Sequence, residues 1–215
     1  MNKILITLSG THGSGKSTNA GKCYYLLNKA GYKFSYLRHQ DLLDPFGFII
    51  RRAARILHTS PEDLERRKPT RVLWSLYLLY IYGPILISGI HLRKLLGYST
   101  VCDRYVYDLI VAFRDNDMSV PSESLLLRLI PPPDASFVMD APEQRILADR
   151  PEHTADFIRK EKWLYLKLAD DFNLTKINTS DSPSIVWDKI TAKVRVALDE
   201  GPSMRKTPVR AVIEA

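Results

Sequence analysis

The residues Gly10-Thr11-His12-Gly13-Ser14-Gly15-Lys16-Ser17 carry the clearest chemistry of the chain. Their spacing fits G-x-x-x-x-G-K-[ST], a loop whose backbone amides cradle phosphate. Glycines let successive N–H groups turn inward on one anion, and a helix starting just beyond adds the positive end of its dipole. Lys16 can reach β- and γ-phosphates, and the Ser17 hydroxyl is of a type that ligates Mg²⁺. A nucleoside triphosphate is therefore expected on Gly10, His12, Gly13, Ser14, Gly15, Lys16, Ser17 and Thr18.

Phosphoryl transfer needs positioning and positive charge more than covalent partners. Asp103 closes the apolar run Thr100-Val101-Cys102, where a carboxylate can hold Mg²⁺ with Ser17 or orient an acceptor; it can also simply cap the next helix. Arg104 beside it suits an anionic acceptor or the migrating phosphoryl group, or a surface ion pair. Arg145, Arg150, His153, Arg159 and Lys160 cluster around a polar stretch. A lid carrying arginine over the triphosphate accounts for them, and so does a solvated helix face. Of these, Arg150 is taken as catalytic, with Lys16, Asp103 and Arg104. His12, His39 and His153 are given no acid–base role. Tyr105, Tyr107 and Phe113 can stack on a base or fill the core.

The elements that must place these groups alternate strand and helix. Short apolar strands are expected over 3–9, 33–37, 99–102, 135–139 and 174–178. Helices are expected over 15–29, 45–57, from 60 onward, 106–114, 122–129, 142–149, 155–172 and 182–198. Ser60 and Pro61 mark one start, and Arg51, Arg52 and Arg55 share a side of another helix. Residues 72–90 hold no charge; Gly83-Pro84 should break this helix, which ends near Gly97. Its 19 residues reach the lower limit of a membrane span. Four aromatic residues (Trp74, Tyr77, Tyr80, Tyr82) favour instead a helix packed on a sheet or at a dimer interface. Five such strands predict an α/β fold, a five-stranded parallel sheet with helices on both faces and a short lid. Ligands then sit beyond the strand C-termini, where residues 10–18, 38–41, Asp103 and Asp140 fall.

At 215 residues the chain suits one domain over 1–200, with a lid at about 148–158 and a basic tail over 201–215 holding Arg205, Lys206 and Arg210. A net charge of +7 suits polyanionic ligands. Cys23 and Cys102 show neither metal spacing nor a disulfide framework, which predicts a cytoplasmic protein. Neither a nucleic-acid nor a membrane partner is expected.

The segments 10–18, Cys102-Asp103-Arg104-Tyr105 and 133–143 (Pro-Asp-Ala-Ser-Phe-Val-Met-Asp-Ala-Pro-Glu) resemble the thymidylate kinase family of P-loop nucleoside monophosphate kinases, in order and spacing, over roughly residues 1–198. Ile177-Asn178-Thr179-Ser180 resembles that family's segment near the adenine. The resemblance implies a P-loop kinase fold, ATP and Mg²⁺, a lid near residue 150, a nucleotide substrate and a homodimer packed through helices. It implies transfer from ATP to a nucleoside monophosphate, dTMP, with Asp103 and Arg104 on the acceptor side. The chain departs from the family at His12, where an Asp is usual, and at Tyr82, near the place of an arginine that meets the acceptor phosphate. Ala112-Phe113-Arg114 stands where the family offers a Gln to thymine. Two alternatives stay open: a small-molecule kinase with another phosphate or hydroxyl acceptor, and a nucleotide-binding protein without transfer activity.

Overall fold

Five parallel strands build the molecule's centre in a computed structural model that describes residues 3–38, 45–60, 64, 67–115, 130–151 and 153–200. The strands are β1 (Leu5–Gly10), β2 (Phe34–Arg38), β3 (Ser99–Asp103), β4 (Ala135–Asp140) and β5 (Thr175–Asn178). They lie in the order β2-β3-β1-β4-β5. The chain leaves central β1 for one edge, returns through β3, then fills the other side. Such a change of direction opens a crevice beyond the strand C-termini. β1 and β3 are buried along their whole length, as strands covered on both faces must be.

Side-chain alternation divides these strands between two cores. Ile4, Ile6 and Leu8 pack with Val101, Phe137, Met139 and Ile177 on one face. There they meet Ala20 and Cys23 of α1 (Lys16–Lys29) and Val186, Ile190 and Val194 of α8 (Pro183–Glu200). Leu5, Leu37, Cys102 and Val138 belong to the opposite core. That core draws on α2 (Pro45–Ile56), a long helical rod, α5 (Val106–Asp115) and α7 (Ala155–Asp171). The short α6 (Glu143–Asp149) joins α7 through Ile146 and Ile158.

The long rod comprises α3 (Lys68–Tyr77), a π-helical turn Leu78–Tyr82, and α4 (Gly83–Leu95). The break expected at Gly83-Pro84 is not a break. Tyr82 keeps right-handed helical angles and Pro84 sits in the first turn of α4, where its missing N–H is harmless. The widened turn before it absorbs the mismatch. Burial of the rod is one-sided: Tyr82, Leu86 and Ile90 face the core, while Leu73, Tyr80 and Leu92 are exposed. No helix among the described residues is long and apolar enough to cross a membrane.

The other strand and helix bounds agree with expectation to within a residue or two. Residues 39–41, the helix start at 61–63, the helix over 122–129 and the tail from 201 lie outside the described residues.

Candidate functional site

The loop after β1 is shaped by glycines at two points where the backbone takes a positive φ. Gly10 has φ +145°, and a Cβ there would collide with the Met139 carbonyl of neighbouring β4. Gly15 has φ +81° and caps α1, so the chain turns left-handed immediately before the helix begins. The first amides of α1 then have no helical acceptor. Between the glycines, the Thr11 carbonyl accepts three hydrogen bonds: from the Ser14 amide at 3.2 Å, from Ser14 Oγ at 2.7 Å and from Lys16 Nζ at 2.8 Å. The Lys16 side chain is thus folded along its own loop and buried. Burial, with Arg104 beside it, pulls its pKa down to about 8 against the opposing pull of Asp108, Glu161 and Asp103. Ser17 and Thr18 are exposed at the helix start.

β3 delivers the second group. Parallel pairing sets Asp103 opposite Leu8 of β1 and Arg38 of β2, on the edge from which the glycine loop springs. Asp103 is only 2% exposed. Tyr36 donates its hydroxyl to Asp103 Oδ2 at 2.9 Å, and Arg38 Nε lies 3.9 Å from the same oxygen. Asp103 Oδ1 is buried and accepts nothing. A buried oxygen left without a donor costs free energy, so it is poised for a cation or a donating ligand.

Arg104 follows with φ +70°, an uncommon conformation for a side-chain-bearing residue. Its amide donates to the Leu8 carbonyl at 3.0 Å, and its guanidinium lies 3.5 Å from Asp108 Oδ1. Burial opposes the Arg104 charge, yet Asp108 and the other surrounding acids hold its pKa above the usual value. Asp108 is the hub of this corner. It accepts from Ser9 Oγ at 2.6 Å, from the Tyr105 amide at 2.9 Å and from the Tyr165 hydroxyl at 2.7 Å.

α7 closes the loop from above. Glu161 accepts from the His12 amide at 3.2 Å and meets His12 Nδ1 at 2.8 Å. Burial pushes the Glu161 carboxyl up, but the His12 ring and amide and nearby Lys16 outweigh it, and the pKa falls below the usual range. The His12 and His153 rings lie 5.2 Å apart, and His153 stacks on Phe157 at 4.9 Å. Arg150 runs beside the loop: a Cβ at Gly13 would stand 3.8 Å from its Cγ.

Lys16, Asp103, Arg104, His12 and Arg150 therefore gather around one strand edge. Other expected residues do not join them. Arg145 donates to the Thr179 carbonyl at 2.8 Å, Arg159 pairs with Glu143 and Asp156, and Lys160 pairs with Asp115. Asp140 is taken by Lys162 at 2.9 Å. Tyr105, Tyr107 and Phe113 are core. Arg114 pairs with Asp171 at 2.7 Å, tying α5 to α7. Tyr82 is buried, and burial, with Cys102 and Asp108 nearby, drives its hydroxyl pKa far up, so it stays neutral.

Glu161 and Asp108 escaped sequence reasoning, though both left signals. Glu161 shares a helical stripe with Ile158, Leu164, Tyr165 and Leu168, an acid at a core position. Asp108 is three residues past Tyr105, the place of the reciprocal partner in a capping box.

A Mg²⁺ site is tested by the same groups. Among the described residues no three His, Cys, Asp or Glu are grouped to hold a metal. The orphaned Asp103 oxygen and the exposed Ser17 hydroxyl nevertheless suit a hard cation whose remaining ligands are phosphate and water.

Comparison with protein-family models and with curated proteins finds no match.

Proposed function

We propose that this chain is an ATP-dependent phosphotransferase acting on a nucleoside monophosphate, with dTMP the acceptor that the family resemblance implies. One observation carries the reading. A glycine loop holding a buried lysine adjoins, on the next strand, an aspartate with a free oxygen and a strained arginine.

In this reading the amides of the loop and of the start of α1 bind the β- and γ-phosphates. Lys16 swings from the Thr11 carbonyl to the phosphates and regains full charge there. Arg104, steadied by Asp108, binds the anionic acceptor. Arg150 balances charge on the migrating group, whose transfer demands little beyond alignment and neutralisation. Ser17 and Asp103 would hold Mg²⁺, which when bound offsets charge on the phosphates.

Tyr82 favours a second reading, a different phosphate or hydroxyl acceptor. A neutral, buried hydroxyl stands near Arg104 and Asp108 where the family places an arginine. An enzyme-coupled ADP assay over a panel of monophosphates and simple hydroxyl compounds separates the two. Monophosphate-dependent ADP release, strongest with dTMP, is the expected result. Release with hydroxyl acceptors alone moves the assignment to the second reading, and release with no acceptor at all rejects both.

A further inference from the structure

The outer surface of α2 and of the α3–π–α4 rod is unlike the rest of the chain. α2 anchors itself through Ile50 and Ala54, yet Phe48, Ile49 and Ile56 point outward, 63%, 55% and 70% exposed. The rod repeats this over about 40 Å of length, with Leu73, Tyr80 and Leu95 exposed opposite its buried face. Single exposed apolar residues are ordinary, but rows on successive elements mark a surface that something covers.

Charge identifies the occupant. Residues 45–98 hold nine Lys or Arg and three Asp or Glu, so six of the seven net positive charges of the chain fall there. Neither α2 nor the rod contains an Asp or Glu; the three acids, Glu62, Asp63 and Glu65, lie between them in sequence. On α2 the two chemistries interleave: Phe48, Arg52 and Ile56 follow one another at four-residue spacing, beside a row of Arg51 and Arg55, all three arginines exposed. A helix that presents aromatic, aliphatic and arginine side chains together on one outward face matches the boundary between lipid headgroups and acyl chains.

We propose that this face docks on an anionic lipid surface. α2 lies in the headgroup plane, Phe48, Ile49 and Ile56 enter the acyl boundary, and Arg51, Arg52 and Arg55 meet lipid phosphates. A second copy of the chain fits less well. A two-fold interface sets α2 and the rod against themselves, and neither element holds a carboxylate to answer the arginines. Docking of this kind needs no spanning helix, runs against the expectation of a chain without a membrane partner, and stands apart from the phosphoryl-transfer reading.

Co-sedimentation of the full chain with vesicles of POPC, and of POPC mixed with POPG, tests the proposal. Pelleting is expected only with POPG present and should fall as salt rises. R51Q/R52Q/R55Q should weaken it by about fivefold per arginine, roughly 100-fold in all. F48S/I49S should weaken it at unchanged charge, with both variants keeping the wild-type unfolding temperature. Should the triple variant misfold, R52Q alone, expected to weaken pelleting about fivefold, decides the matter, and unchanged pelleting of R52Q overturns the proposal. Equal pelleting on both vesicles, or none on either, overturns the proposal. So does a non-pelleting dimer, seen by light scattering, that F48S/I49S turns into a monomer: the face then belongs to a second copy.

Discussion

Lys16 is the residue on which the proposed chemistry turns, and its surroundings make the consequence measurable. Its ammonium donates to a loop carbonyl, and its burial already costs the charge free energy, so its loss relieves as well as removes. Lys16→Ala should lower kcat/KM by roughly 10²–10³-fold while leaving the thermal unfolding temperature near wild type. A collapse of the unfolding temperature would assign the lysine to the fold instead. The depressed pKa adds a pH signature. Without nucleotide, Lys16 loses its proton near pH 8. A bound triphosphate raises that pKa, so affinity is full below about pH 8 and declines as pH rises through it, by at most tenfold per unit. Calorimetry in two buffers of different ionisation heat should then show proton uptake just above pH 8, absent in Lys16→Ala. Asp103 calls for a different readout, because in the proposed reading its orphaned oxygen meets Mg²⁺, whose charge matters most as the phosphoryl group moves. Asp103→Asn keeps an acceptor for the Tyr36 hydroxyl and should reduce kcat far more than ATP affinity; equal losses in both would make it a shaper of the nucleotide site.

Glu161 shows what an element adds to a motif. It stands 149 positions from His12 and fastens α7 onto the glycine loop through one ring nitrogen and one amide. Glu161→Ala strands both groups and should destabilise the fold by about 1–3 kcal/mol. The sign with pH is set by the lowered carboxyl pKa. Wild type should keep its advantage above the ordinary glutamate range and lose it as pH falls below, which urea titrations at neutral and acid pH would show. An advantage that grew in acid would contradict the pairing. The glycine loop and the strand-end Asp-Arg pair were legible because each is a short run whose neighbours dictate its place. Glu161 was not, since it sits inside Arg159-Lys160-Glu161-Lys162 and reads as solvated surface unless its helical phase is followed. The continuity of the rod through Gly83-Pro84 was hidden for a related reason. A π turn is a response to packing on both sides of a proline, and residue types alone do not announce it.

The whole molecule follows from alternation. Apolar runs of four to six residues separated by helices leave a parallel sheet as the arrangement that covers both faces, and the five strands were readable from that pattern. Strand order was not readable, yet it decides the site. Because β3 lies directly beside β1, Asp103 falls opposite Leu8 and Arg104 bonds to the Leu8 carbonyl, so the Asp103-Arg104 pair and the glycine loop share one rim. A third strand between β1 and β3 would have separated them. The most direct test of that shared rim is transfer itself: γ-labelled ATP and Mg²⁺ incubated with each nucleoside monophosphate, with products resolved by charge. Label in a nucleoside diphosphate, dTDP foremost, and its loss in Lys16→Ala is the expected result. Label that stays in ATP or leaves only as inorganic phosphate, whichever monophosphate is offered, would contradict it.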